Sequence, residues 1–222
     1  MEKNSGSQKL PFPDTGKQLP QYPAPPTLKR VYSLGCSMPA REFFGLLMAE
    51  GIQAVLDTRE HRTYRGRGFA TSEEDFRYLC ERHEMPYFVV ESLAPSREIR
   101  ERFARDFKDI KRAADRDPQA WTAFLEDYQV LLQQRRPLRS GQLHDILYGD
   151  FESVAIICSC RHHDDCHRSF ATGMIATLLP GVELRVIYPN DEEPPKASPR
   201  RYRLREFPWA GLKPNAPARR RG

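Results

Sequence analysis

Apolar residues recur along this chain with two alternating periods, and the alternation predicts its elements. Arg30-Val31-Tyr32-Ser33-Leu34-Gly35 reads as a short strand. From Met38 to Met48 the period becomes helical, with Phe43, Phe44, Leu47 and Met48 on one side, Ser37 as the expected N-cap and Pro39 in the first turn. Gly51 stops that helix, and Ile52-Gln53-Ala54-Val55-Leu56 is a second strand closing at Asp57-Thr58-Arg59. Strand, helix and strand within about thirty residues is the signature of a βαβ unit, and so of a parallel sheet.

The stretch from Glu60 to Ala70, rich in Arg and Gly, predicts a surface loop, followed by a helix that Thr71 or Ser72 caps and that runs through Cys80. Tyr87-Phe88-Val89-Val90 is a third strand. Ile99, Phe103, Phe107 and Ile110 form one stripe of a charged helix from Ser96 to Ala114. Trp121, Phe124, Leu125, Tyr128, Leu131 and Leu132 do the same for a helix from Pro118 to Gln134. Ser153-Val154-Ala155-Ile156-Ile157-Cys158 suits the buried centre of a sheet. A polar loop, a helix from about His167 to Leu179, Gly181 as its stop and a strand from Val182 to Ile187 complete a three-layer α/β pattern over residues 28–190. There is no internal repeat.

Composition changes this picture at the ends. A 222-residue chain has room for one domain or one and a half. Only 39% of it is hydrophobic and its mean hydropathy is −0.67, yet it holds 12 Phe, 9 Tyr and 2 Trp. Of 19 prolines, six precede Thr27 and seven lie from Pro189 onward, so residues 1–27 and 191–222 are expected to be disordered tails. Nine basic residues against Glu206 alone give +8 from Lys196 to Gly222, which leaves −3 of the chain's +5 to everything before. The basic balance therefore describes the tail, and global charge is no argument for nucleic-acid binding by the body. No apolar run approaches the roughly 20 residues of a membrane span, and no signal-peptide pattern opens the chain. Five cysteines, three of them between Cys158 and Cys166, do not form a secreted disulfide framework. Reduced thiols and a cytoplasmic location are expected.

Ligands of open α/β sheets bind at the carboxyl ends of the strands. Those ends here are Gly35-Cys36-Ser37, Asp57-Thr58-Arg59, Glu91-Ser92-Leu93-Ala94-Pro95 and Cys158-Ser159-Cys160. The densest segment, Cys158-Ser159-Cys160-Arg161-His162-His163-Asp164-Asp165-Cys166-His167-Arg168-Ser169, runs from a buried strand into a helix N-terminus. Free backbone N–H groups there attract anions and lower the pKa of a cysteine. Cys166 beside His167 and Arg168 fits a reactive thiolate with an anion clamp, and equally a small buried residue beside a structural ion pair. The same segment holds in Cys158, Cys160, His162, His163, Cys166 and His167 enough thiol and imidazole groups for zinc, with Cys158, Cys160 and Cys166 as the leading candidate ligands, although no second ligand pair appears elsewhere in the chain. The loop from Arg59 to Phe69, with four arginines, can hold phosphate or be a solvated surface. His83 and His144 read as surface residues and Cys80 as packed in its helix.

Taken in order, Leu34-Gly35-Cys36-Ser37, Asp57-Thr58-Arg59, Tyr87 with Glu91-Ser92-Leu93-Ala94-Pro95, Trp121 with Phe124 and Tyr128, and Cys158 followed by Cys166-His167-Arg168-Ser169 resemble the family of the domain of unknown function 488, over about Arg30 to Ile187. The resemblance implies a Rossmann-like, mostly parallel sheet with Asp57, Arg59, Cys166, His167 and Arg168 near one another. It also implies three departures from the family's pattern: Cys36 in place of a histidine, Arg62 in place of a proline and Cys160 in place of a glutamate. Two of the three add thiols to the expected site.

Three functions follow as expectations. The first is action on an anionic, phosphate-bearing or nucleic-acid-derived substrate, with Cys166, His167 and Asp57 as the catalytic groups. Arg59, Arg168, Cys36, Ser37, Arg62 and Arg65 would bind that substrate. The second is a nucleic-acid-binding accessory role for the basic tail and the Arg-rich loop. The third is a zinc-binding module built on Cys158, Cys160 and Cys166. The oligomeric state is open.

Overall fold

A computed structural model of the protein describes residues 26–60, 62, 69–70, 72–106, 118–139, 141–160, 163 and 166–188. Five strands, β1 (Arg30–Gly35), β2 (Ala54–Asp57), β3 (Tyr87–Val89), β4 (Ser153–Cys158) and β5 (Glu183–Ile187), form one sheet in the order β3-β2-β4-β1-β5. Every pairing is parallel, with Gly35 opposite Cys158 and Asp57 opposite Ile157. The expected three-layer α/β architecture is therefore present. The tails expected at residues 1–27 and 191–222 fall almost wholly outside the described residues.

Alternation along each strand sorts side chains to the two faces. Tyr32, Leu34, Val55, Ala155 and Ile157 pack against α1 (Ala40–Ala49) and α2 (Glu73–Arg82), where Phe43, Phe44, Leu47, Phe76 and Cys80 are buried. Val31, Ala54, Leu56, Val154 and Ile156 face α4 (Pro118–Arg135), α5 (Gln142–Tyr148) and α6 (His167–Leu178). The aromatic stripe of α4 is core as expected: Trp121 stacks on Phe124 at 5.0 Å, and Phe103 of α3 (Arg97–Asp106) packs across both. Phe107 and Ile110 lie outside the described residues.

Three boundaries differ from the sequence expectation. The N-cap of α1 is Pro39 and not Ser37, because a proline drives the residue before it out of helical conformation. The strand expected from Ile52 starts at Ala54, since the Ile52 amide donates to Leu47 O and closes α1. A seven-residue helix, α5, occupies a stretch to which no element was assigned.

β4 lies between β1 and β2, so its carboxyl end meets the ends of both neighbours. Beyond the ladder, the Cys36 amide donates to Cys158 O and the Thr58 amide to Ile157 O. Among the described residues, no helix is long and apolar enough to cross a membrane.

Candidate functional site

The candidate residues collect at this carboxyl edge, but the sheet divides them between its faces. On the α1/α2 face Asp57, fully buried, receives Arg59 through Nε at 2.9 and 3.0 Å and Nη2 at 2.7 Å, the Arg59 backbone amide at 2.9 Å and the Tyr87 hydroxyl at 2.7 Å. Arg59 Nη1 donates to Ala70 O at 2.8 Å, and its guanidinium lies over the Phe76 ring. The Asp-x-Arg motif thus ties the end of β2 to the far end of the loop that follows it. Burial and the neighbouring Asp57 carboxylate hold the Tyr87 phenol far above its ordinary range. Cys36 sits on the same face, its Sγ donating to Cys158 O, and burial pushes its thiol up to about 12.

On the α6 face, period-2 alternation turns Cys158 toward the N-terminus of α6, where Cys166 is the N-cap residue. Cys166 makes no side-chain cap hydrogen bond, so its sulfur is not used to finish the helix. The Sγ atoms of Cys158, Cys160 and Cys166 all lie within 4.8 Å of one another, and a hydrogen bond of 3.6 Å joins Cys158 and Cys160. The trio can hold a metal ion. Cys158 and Cys166 are buried, Cys160 is exposed, and all five cysteines of the chain are free thiols. Hydrogen bonding to Cys160 and Cys166 holds Cys158 well below the thiol range, against its burial. Cys160 is raised by its hydrogen bonds to the other two. Burial, reinforced by Cys158, pushes Cys166 to about 12.

Two further side chains frame the sulfurs. Arg168, 2% exposed, donates through Nη1 to Cys158 O and Cys160 O and through Nε to Ser33 Oγ at 3.1 Å. Ser33 in turn meets His163 Nδ1 at 2.6 Å. His167 places Nδ1 3.8 Å from Cys166 Sγ and Nε2 against both oxygens of Thr58, and Tyr128 meets its ring edge-on.

Of the other expected site residues, Ser37 is exposed beyond the end of β1. Arg62 pairs with Glu91 at 3.2 Å and Glu73 at 3.7 Å. Arg65 lies outside the described residues, as do 161, 162, 164, 165 and the basic tail. His83 stacks on Phe44 and His144 on Tyr148. Ser33 was not singled out from the sequence, while Thr58 entered only as the middle of the Asp57-Thr58-Arg59 motif and His163 only as one of the imidazoles available to a metal. Ser33 carries the clearest signal, a polar residue inside a buried strand at a position that alternation assigns to a packed face.

Comparison with known proteins agrees with the motif reading. No curated protein and no solved structure matches the chain. The family model for the domain of unknown function DUF488 matches residues 39–175, more than half of the chain and including the whole Cys158 to Arg168 segment. With that match and the motifs at the edge of its sheet, the chain belongs to the DUF488 family.

Proposed function

We propose that this chain is a metal-binding α/β protein whose centre, Cys158, Cys160 and Cys166, takes one zinc ion at the carboxyl edge of the sheet. The observation that carries this reading is the convergence of three sulfurs from a strand end, a loop and a helix cap. With Zn–S bonds of about 2.3 Å, the edges of a tetrahedral thiolate site measure about 3.8 Å. The Cys158–Cys160 separation of 3.6 Å meets that value, and the trio as a whole needs to contract by no more than about an ångström.

Charge supports the same reading. Three thiolates crowded together, two of them buried, need cations, and zinc with three thiolates still carries −1. Arg168 supplies a buried guanidinium beside them.

A nucleophilic Cys166 fits the site less well, because burial outweighs the helix N-terminus and its thiol is raised. The expected anion clamp also has competitors. Arg59 is engaged by Asp57 and Ala70, and Arg168 by Ser33 and two carbonyls.

Elemental analysis of the full-length protein, purified with zinc and then dialysed, tests the proposal. One zinc per chain is expected, lost on Cys158→Ala, Cys160→Ala or Cys166→Ala and kept on Cys80→Ala. Less than stoichiometric zinc, together with thiol reactivity that a chelator does not change, would overturn it.

A further inference from the structure

Three sulfurs leave one position of a tetrahedral ion to be filled, and we infer that His167 fills it through Nδ1, closing a Cys3His centre. This rests on the metal reading above and names the remaining ligand.

The far side of the imidazole determines which nitrogen is available. His167 Nε2 lies 3.1 Å from the Thr58 carbonyl oxygen and 3.0 Å from Thr58 Oγ1. A carbonyl oxygen only accepts, and Thr58 Oγ1 donates its own hydrogen to Ile157 O at 3.0 Å, so toward His167 it accepts as well. Two acceptors facing one ring nitrogen require that nitrogen to carry the proton. In the neutral imidazole that a metal requires, the lone pair is then on Nδ1, which faces the sulfurs.

Distance agrees with chemistry. Zn–S of about 2.3 Å and Zn–N of about 2.0–2.1 Å give a sulfur-to-nitrogen edge of about 3.5 Å. Cys166 Sγ and His167 Nδ1 stand 3.8 Å apart, and Cys158 also lies within interaction range of His167. A metal-bound histidine characteristically donates its other ring N–H to a carbonyl or carboxylate, and the Thr58 carbonyl is placed for that role. Thr58 therefore acts as the positioning residue, with Tyr128 holding the ring edge-on. The group of ligand atoms all within 4.8 Å of one another comprises the three sulfurs without His167, so the exposed Cys160 has to draw in to complete the tetrahedron.

Closure has a functional consequence. A four-ligand site has no open position for water or substrate, so the ion fixes structure: it joins the end of β4, the start of α6 and, through Thr58, the end of β2.

X-ray absorption of the zinc-loaded full-length wild type tests the assignment without relying on a variant. The expected result is three sulfurs and one nitrogen with the outer-shell scattering of an imidazole ring. Cobalt titration supplies a second readout: His167→Asn should shift the d–d bands and weaken binding roughly tenfold or more, whereas His144→Gln should do neither. Bound zinc with three sulfurs and no imidazole, or a cobalt spectrum that His167→Asn leaves unchanged, would overturn the role of His167 alone. A wild type that binds no zinc would overturn the centre itself.

Discussion

Ser33 Oγ links Arg168 to His163: it accepts from Arg168 Nε, which can only donate, and lies 2.6 Å from Nδ1 of the buried His163. Burial, and after it the Arg168 charge, lower its pKa from 6.5 to about 3. The unfolded chain takes up this proton near pH 6.5, whereas the native chain does so only near 3. The stability due to the neutral ring is complete above the unfolded value and is lost as pH falls through that interval. At about 1.4 kcal/mol per unit, the total is on the order of a few kcal/mol. Thermal unfolding of the metal-free full-length protein from pH 7 to pH 4 should show Tm falling, with a shallower slope in His163→Gln. Equal slopes in the two proteins would show that another group titrates.

Among the elements, α5 shows where local pattern reading stops. It has seven residues, with Gly141 at φ 84° before it and Gly149 after it, so too few turns exist for a period to emerge. Its three buried residues, Leu143, Ile146 and Leu147, acquire meaning only against the core they join. A Cβ on Gly149 would lie 2.5 Å from the Asp145 carbonyl oxygen, which is backbone and cannot turn aside. Gly149→Ala should therefore cost about 1–3 kcal/mol and lower Tm by several degrees, read by calorimetry; an unchanged Tm would mean that the end of α5 yields freely. Longer elements were legible for the opposite reason. The stripe of Trp121, Phe124 and Tyr128 spans two turns, and the run from Val154 to Ile157 can be little else than a central strand. The start of α1 was legible only in part: the helical period is plain and Pro39 keeps Met38 out of the helix, but Pro39, expected in the first turn, is itself the cap at ψ 145°, and the helix starts at Ala40.

At the scale of the whole molecule, the proposed centre joins segments about a hundred residues apart, with Thr58 on one side and the Cys158 to His167 segment on the other. An ion that binds the native state and not the unfolded chain stabilises the fold by mass action. Chelation should lower the Tm of the wild type, and the difference between zinc-loaded and chelated protein should vanish in Cys160→Ala. If wild type holding zinc melts at the same temperature after chelation, the ion is not coupled to folding. Metal linkage should also dissect from the core of the opposite face, which is built on Phe43, Phe44 and Phe76.

By itself the sequence determined what local physics determines: the two periods, most of the elements, the α/β class, the resemblance to DUF488 and the segment that carries the densest chemistry. Spacing along a chain encodes these because a helix or strand is built from neighbours. Only the tertiary structure decided which candidates meet. Asp57, Arg59 and Cys36 are on one face of the sheet, Cys158, Cys166 and Arg168 on the other, although the first four of these in chain order all end or closely follow a strand. That division follows from side-chain alternation combined with the insertion of β4 between β1 and β2, a pairing of residues separated by about a hundred positions. Burial then decided the chemistry, converting the arginines expected to hold an anion into supports for carbonyls and a carboxylate, and three neighbouring cysteines into one cluster.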